Sequence, residues 1–338
     1  MIVARRRAAT PAGLLLRPYA GESDVPAIVR VVNAEWAHDG VPARYTVEEK
    51  LNDHSHPSAA FDASRDVTLA EIDGEAVGYA VRGWTDANDS SVREYRVDGS
   101  VDPAWRGRGI GRAILRESMR LAREVAAGHD TPRARVFGSR SHDGQPADEA
   151  LLRSEGFRPV RYFFDMTRPT LDDVPDLPLP AGLEVRPVSL ADARAVWEAD
   201  VDAFRGHWGG YEHSDENFQR WLEAPETDPS LWVIAFDGNE IAGGVICGIY
   251  GEENAALGRN RGWLDDVFTR LPWRRRGLAR ALIARALVLL RERGLDSAVL
   301  DVDSENASGA LGLYQSVGFQ VERRSTAWRR PMEPPTAD

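Results

Sequence analysis

The chain repeats itself at nearly constant spacing, and that limits its folds more than any other feature. Leu16-Arg17-Pro18 returns as Val185-Arg186-Pro187, with the two arginines 169 residues apart. A glycine turn at Gly109 returns at Gly277, 168 residues on, and Gly156-Phe157 returns as Gly318-Phe319, 162 residues on. Three landmarks at a near-constant offset describe a duplicated domain with small insertions. A length of 338 residues suits two domains, at about 150 residues each.

Each half opens with a strand and a helix, continued by Asp24-Val25-Pro26-Ala27-Ile28-Val29 in the first and Leu190-Ala191-Asp192-Ala193 in the second. A polar stretch that reads as irregular follows, Glu35-Trp36-Ala37-His38-Asp39 and then His207-Trp208-Gly209-Gly210-Tyr211-Glu212-His213. Asp73-Gly74 and Asp237-Gly238 then sit between apolar, β-prone runs, which is a strong hairpin signal. After the next strand and the glycine turn comes a long helix. Ile110, Ile114, Leu115, Leu121 and Ala122 form its apolar stripe in the first copy, and Leu278, Leu282, Ala286, Leu287 and Leu290 in the second, with Gly128 and Gly294 as the stops. A strand, a short helix ending at Gly-Phe and a last strand complete the half. Each half reads β-α-β-β-β-α-β-α-β, an α/β fold built on a mixed sheet with helices on its faces. The expected layout is a disordered arm over 1–13, a first domain over 14–168, a linker over 169–182, a second domain over 183–331 and a tail over 332–338. Pro169, Pro175, Pro178 and Pro180 make the linker extended.

The glycine turn carries the chemistry. In the second half Thr269 leads through Arg270-Leu271-Pro272-Trp273 to Arg274, Arg275, Arg276, Gly277, Leu278, Ala279 and Arg280. In the first, Val101 leads through Asp102-Pro103-Ala104-Trp105 to Arg106, Gly107, Arg108, Gly109, Ile110, Gly111 and Arg112. Such a turn between strand and helix gathers backbone N–H groups where four donors lack intrahelical partners and the helix dipole is positive. It suits a phosphate or pyrophosphate. Gly277 lets the backbone approach closely, and the arginines add charged donors. The turn lies late in each unit, after antiparallel hairpins, which argues against a dinucleotide fold.

The pattern Arg-x-x-Gly-x-Gly/Ala between a strand and a helix resembles the acetyl-CoA pyrophosphate loop of the GCN5-related N-acetyltransferases, the GNAT family, here in tandem. Asp303-Ser304-Glu305-Asn306 through Tyr314-Gln315-Ser316-Val317-Gly318-Phe319 resembles the family's C-terminal motif. The resemblance implies two tandem GNAT-like acyl-CoA N-acyltransferase domains, with acetyl-CoA as co-substrate. It places Asn306 beside the pantetheine arm and makes Tyr314 the general acid for the departing thiolate. A phenol of pKa about 10 can protonate a thiolate whose conjugate acid lies near ~8.5. It also lays the thioester against the backbone of Val267, Phe268 and Thr269, where one N–H can stabilise the oxyanion. In the first half the pattern fails: Leu152 stands in the place of Tyr314, and Gly144 in that of Asn306. Leucine donates no proton, so catalysis is expected in the second half. A two-domain arrangement with one impaired half is similar to the mycothiol synthase-like acetyltransferases of the family.

The base that deprotonates the amine is left open among Asp265, Asp266, Asp301 and Asp303; strand alternation allows only one of Asp265 and Asp266 to face the site. His207, Trp208, Tyr211 and Glu212 offer an aromatic and acidic set that suits a cationic amine.

A net charge of −11 argues against a general nucleic-acid or anionic-membrane binder. No run reaches the roughly 18 apolar residues of a membrane span. Arg5-Arg6-Arg7 is followed only by Leu14-Leu15-Leu16 before Arg17-Pro18, which is no signal-peptide core. The single cysteine, Cys247, reads as a core residue and fits a reducing cytoplasm. No histidine or cysteine pairs stand at metal-ligand spacing, so no metal is implied. The expectation is a cytoplasmic N-acetyltransferase acting on a small-molecule primary amine by direct attack. The alternatives are a non-catalytic acyl-CoA sensor and a protein or peptide N-terminal acetyltransferase. The acceptor and the oligomeric state are left open.

Overall fold

The computed structural model describes residues 11–88, 91–210, 212–305 and 309–332. In chain order the elements are β1 (Leu15–Pro18), α1 (Val25–Asp39), α2 (Val47–Ser55), α3 (Ala63–Asp66), β2 (Val67–Ile72), β3 (Glu75–Asp86), β4 (Val92–Val101), α4 (Ile110–Ala127), β5 (Ala134–His142), α5 (Pro146–Ser154) and β6 (Arg158–Arg168). The second half continues with β7 (Leu183–Arg186), α6 (Ala193–Phe204), α7 (Asp215–Leu222), β8 (Val233–Asp237), β9 (Glu240–Gly248), α8 (Gly251–Leu257), β10 (Arg261–Thr269), α9 (Leu278–Glu292), β11 (Ser297–Asp303), α10 (Ala310–Ser316) and β12 (Gln320–Pro331). Short 3-10 turns precede α1, α4, α6 and α9.

The hairpin signals act as expected. Asp73 and Gly74 both take positive φ, 50° and 80°, the type I′ geometry whose twist matches the flanking strands β2 and β3. Each long helix buries one stripe: Ile110, Ile114, Leu115, Met119, Ala122 and Ala126 on α4, and Leu278, Leu282, Ile283, Ala286, Leu287 and Leu290 on α9. One polar stretch departs from expectation. Glu35 to Asp39 is not irregular; it forms the last turns of α1, which Gly40 ends in the left-handed region. Its mixed polarity hid a helix whose end faces other charged groups.

The chain divides into two compact units, and their make-up differs from two consecutive halves. One comprises Met1–Asp86, Ser91–Pro159 and Trp328–Asp338, the other Ala87–Ser90 and Val160–Ala327. In the second unit the strand order is β7-β8-β9-β10-β11-β6-β12. The strand that ends the first half of the sequence, β6, thus pairs antiparallel with β11, Ala298 opposite Arg168 through Asp303 opposite Phe163. In the first unit the order is β1 to β5, and the end of β12 follows β5. There the Met332 N–H donates to the Arg135 carbonyl, and Trp328 is buried against Tyr95, Leu115, Phe137 and Leu152. Duplicated halves offer similar strand edges, so hydrophobic pattern alone does not assign a closing strand to its own half.

The proline-rich stretch is extended, as its composition requires, yet it is bound along the second unit. Leu171 is buried, its N–H donates to the Asp296 carbonyl, and Arg285 and Arg291 donate to the carbonyls of Leu177 and Leu171.

Because Trp328 is 1% exposed and its Nε1–H donates to Ser141 Oγ at 2.9 Å, Trp328→Ala is expected to destabilise the first unit by about 3–5 kcal/mol, read as a shifted denaturant midpoint.

Candidate active site

In the second unit β10 runs parallel to β11 for three residues only, Arg261 to Trp263 beside Ser297 to Val299. From Leu264 to Thr269 its other edge stays bonded to β9, while among the described residues the β11-facing edge has no strand partner. Val267, Phe268 and Thr269 lie on this parted segment. Thr269 pairs with Gly243 on β9, and its Oγ1 is buried without a partner among the described residues.

The strand leads straight into the arginine turn. Gly277 takes φ 86° and starts α9 with no side-chain cap. The first N–H groups of the helix are therefore orphan donors. Leu278 is buried, Ala279 half-buried, and Arg275, Arg276 and Arg280 are exposed. Arg274 points inward: its guanidinium donates to the Thr269 carbonyl at 2.9 Å and the Ala203 carbonyl at 2.6 Å, tying the turn to strand β10 and helix α6. Arg276 and Arg280 reach the carbonyls of Ala181 and Ser316. Arg275 is left-handed, φ 64°, where the first copy has Gly107.

Tyr314 sits on α10, 7% exposed, with its ring edge-on to Phe319 at 6.1 Å. Burial, then the Asp266 and Asp301 carboxylates, push its phenol up, so the hydroxyl keeps its proton at neutral pH. Asn306 and Tyr211 lie outside the described residues. His207 packs edge-on against Phe204 at 4.3 Å, and burial followed by the Arg274 charge lowers its pKa.

The alternation expected of Asp265 and Asp266 breaks. A β-bulge places Leu264 opposite Cys247 and Asp266 opposite Ile246, leaving Asp265 as the extra residue. A Cβ on Gly248 would strike the Asp265 carboxylate, and one on Gly244 the Phe268 ring. Gly244 and Gly248 share a face of β9, as Asp266 and Phe268 share a face of β10. Both aspartates therefore face the same way, opposite to the α9 face marked by Gly262 against Leu290. Desolvation, then Asp266, raises the pKa of Asp265 although the residue is exposed, and its Oδ1 accepts from the Tyr250 hydroxyl at 3.1 Å. Burial pushes Asp266 up to about 6. Helix α6 packs on β9 and β10 and contributes Asp200, 6% exposed, a residue that sequence reading passed over.

The first unit repeats the frame and fills it differently. Strand β4 pairs with β5 from Val92 to Arg96 and then parts from it. Here the chain's own side chains occupy the gap. The Val101 N–H donates to Glu35 Oε1 at 3.2 Å, and Asp98 accepts from the Ser139 hydroxyl and the Arg140 N–H. Arg106 is ion-paired with Glu35 and Asp39, Arg112 with Glu155, and Arg108 lies over the Trp105 ring. Gly107, Gly109 and Gly111 keep the turn, with Gly109 at φ 89° opening α4 at Ile110. Leu152 is buried in the core. A cavity of about 290 Å³ remains, bordered by Glu35, Trp36, Tyr79, Asp98, Gly111 and Asp148. Burial, then Glu35, pushes Asp148 up to about 7.

Two family models match the chain, the acetyltransferase (GNAT) family over residues 193–319 and the acetyltransferase (GNAT) domain over residues 63–159. The mycothiol acetyltransferase of Nocardia farcinica is 30% identical over 74% of this chain and 78% of its own length. The chain belongs to the GNAT family. It is an N-acetyltransferase with two GNAT domains in tandem. The mycothiol acetyltransferase of Geodermatophilus obscurus is 29% identical over 90% of this chain and 94% of its own. A GCN5-related N-acetyltransferase from Sphaerobacter thermophilus superposes with TM-score 0.70 at 27% identity, covering 96% of this chain and 98% of that one. A tandem GNAT protein from the clavulanic acid biosynthesis pathway shares the fold, with TM-score 0.66 at 16% identity over 95% and 99% of the two chains. Among the described residues of this GNAT protein, no helix is long and apolar enough to cross a membrane.

Two outcomes follow from this geometry. Arg275→Gly relieves a left-handed non-glycine residue and is expected to raise stability by about 1 kcal/mol, seen in the melting temperature. Asp148 has its folded pKa raised from 3.8 to about 7. Its contribution is therefore present below about pH 4 and lost as pH rises through about 7. Asp148→Asn should melt higher than wild type at pH 8, with the gap closing towards pH 4.

Proposed function

We propose that the second unit is the catalytic one, and that it transfers acetyl from acetyl-CoA to the primary amine of a small molecule by direct attack. What carries the reading is the parted end of β10 running into uncapped α9, with buried Tyr314 bearing a phenol pushed up by its surroundings. The N–H groups of Gly277, Leu278, Ala279 and Arg280 receive the pyrophosphate, and exposed Arg275 and Arg276 supply charge. Arg274 acts as the brace that holds the turn. A strained left-handed Arg275, where Gly107 stands in the other copy, is consistent with a side chain retained for an anion.

The pantetheine arm lies along Val267, Phe268 and Thr269, whose unpaired backbone groups bind it as a strand would and offer one N–H to the oxyanion. As the C–S bond breaks, Tyr314 gives its proton to the thiolate. No metal is required by this sequence of steps. The first unit keeps Arg106, Gly107, Arg108, Gly109, Ile110, Gly111 and Arg112, but Glu35 already takes the Val101 N–H and Arg106 is neutralised. We assign it no turnover, because Leu152 has no proton to give. The relatives are named for mycothiol, which makes a mycothiol-related amine the first acceptor to try.

Tyr314→Phe tests the assignment. Turnover should fall about 100-fold or more, while calorimetric titration shows acetyl-CoA affinity nearly kept and one site per chain. Unchanged turnover removes Tyr314 from the chemistry, and no binding at millimolar acetyl-CoA defeats the donor reading.

A further inference from the structure

The two copies differ at one core position in a way that packing does not explain. At the 168-residue offset, Asp266 corresponds to Asp98 and Asp200 to Val32. In the first unit Val32 is an apolar core residue, and Asp98 is satisfied by Ser139 and Arg140 of β5. In the second unit a carboxyl replaces the valine on the helix that covers β10. Asp200 is 6% exposed, and its Oδ1 has no hydrogen-bond partner among the described residues. An unsatisfied buried polar group costs stability, and two neighbouring carboxyls cost more. The bulge at Asp265 turns Asp266 onto the face that α6 covers. Burial and Asp266 both raise the Asp200 pKa, which agrees with the two carboxyls facing each other.

We propose that Asp200 and Asp266 form the seat for the acceptor's ammonium group and take its proton before attack. The proposal rests on the acetyltransferase reading of the second unit, and it fixes the acceptor as a cationic primary amine. Among the other titratable groups on the surrounding elements, Glu198 of α6 is exposed, Arg194 of α6 is paired with Asp215, and Cys247 of β9 lies in the apolar core. On β10, Asp265 is bonded to Tyr250; on α6, Asp202 is paired with Arg270; and Arg274 is bound to the Thr269 and Ala203 carbonyls. The Tyr314 phenol of α10 feels Asp266 and then Asp301 of β11, and His207 feels the Arg274 charge. That leaves the Asp200–Asp266 pair as the seat for a cation in this face.

The steps balance. The ammonium gives one proton to the pair, and the freed lone pair forms the N–C bond at the acetyl carbonyl. The C–S bond then breaks, and the coenzyme A thiolate takes the Tyr314 proton. The second proton leaving nitrogen restores Tyr314, and the pair releases its proton to solvent. The net products are the amide, coenzyme A thiol and one proton. Since the pair must start with a negative charge, the rate falls at acid pH.

The test compares wild type with Asp200→Asn and Asp200→Val, the latter restoring the residue of the first copy. Ethanolamine, glucosamine and S-methylcysteine serve as acceptors, with coenzyme A release followed by chromatography from pH 5 to 9. Both variants are expected to melt at or above the wild-type temperature and to bind acetyl-CoA equally well. Their kcat/KM for the amine should fall about 100-fold or more, and the acid limb of the pH profile should change. Wild-type kcat/KM and pH profile in both variants would overturn the assignment. So would a loss accompanied by lower melting and weaker acetyl-CoA binding, since that marks Asp200 as structural. A wild type that binds no acetyl-CoA and releases no coenzyme A with any of the three amines defeats the reading of the second unit as the catalytic one.

Discussion

Everything in the second unit follows from two parallel strands that pair for three residues and then part. A strand edge left without a partner exposes N–H and C=O groups that must find hydrogen bonds elsewhere. Placed beside an uncapped helix start, those groups make a continuous polar track from the end of β10 into α9. The track is held rigid by Arg274, which closes the turn onto Thr269 and Ala203. Arginine does this well because its planar fork supplies several donors in fixed directions.

The first unit shows the same frame with its polar demands met from within. Glu35 takes the Val101 N–H, Asp98 bridges to β5, and Arg106 is saturated by Glu35 and Asp39. The difference between the copies traces to single positions. Where the first copy has Glu35 the second has Ala203, which has no carboxylate to take the strand-end N–H, and Arg274 donates to the Ala203 backbone carbonyl instead. Where the first has Val32 the second has Asp200, and where the first has Leu152 the second has Tyr314. Acyl transfer needs open donors, a proton acceptor and a proton donor. The proposed assignment finds candidates for all three in the second copy, whereas in the first Glu35 takes the Val101 N–H and Leu152 stands in the place of the phenol.

Much of this was legible in the residues. The offset of the landmarks, the Asp-Gly hairpins and the apolar stripes of α4 and α9 are local patterns with local causes. Asp200 was not legible, since a lone aspartate in a helix gives no sign of being buried. The face of Asp265 was misjudged because a bulge has no sequence signature here, and period-two alternation fails at the extra residue. Glu35 and Asp39 read as a polar loop because a helix end that meets buried charges looks solvent-facing in one dimension.

The sequence by itself determined the duplication, the order of the strands and long helices, the glycine turns and the leucine in place of the phenol at Leu152, because each depends on residues close in the chain; the short helices α2, α3, α7 and α8 were not legible in it. Only the tertiary structure decided which strand closes which unit, for β6 joins β11 and Trp328 joins the core of the first unit. Repeated halves carry near-identical patterns, so their strand edges compete on equal local terms and only the packed chain selects a partner. The same holds for charge. Whether an aspartate is a solvated surface group or a buried proton acceptor depends on what packs over it, and packing is settled by residues far away in sequence.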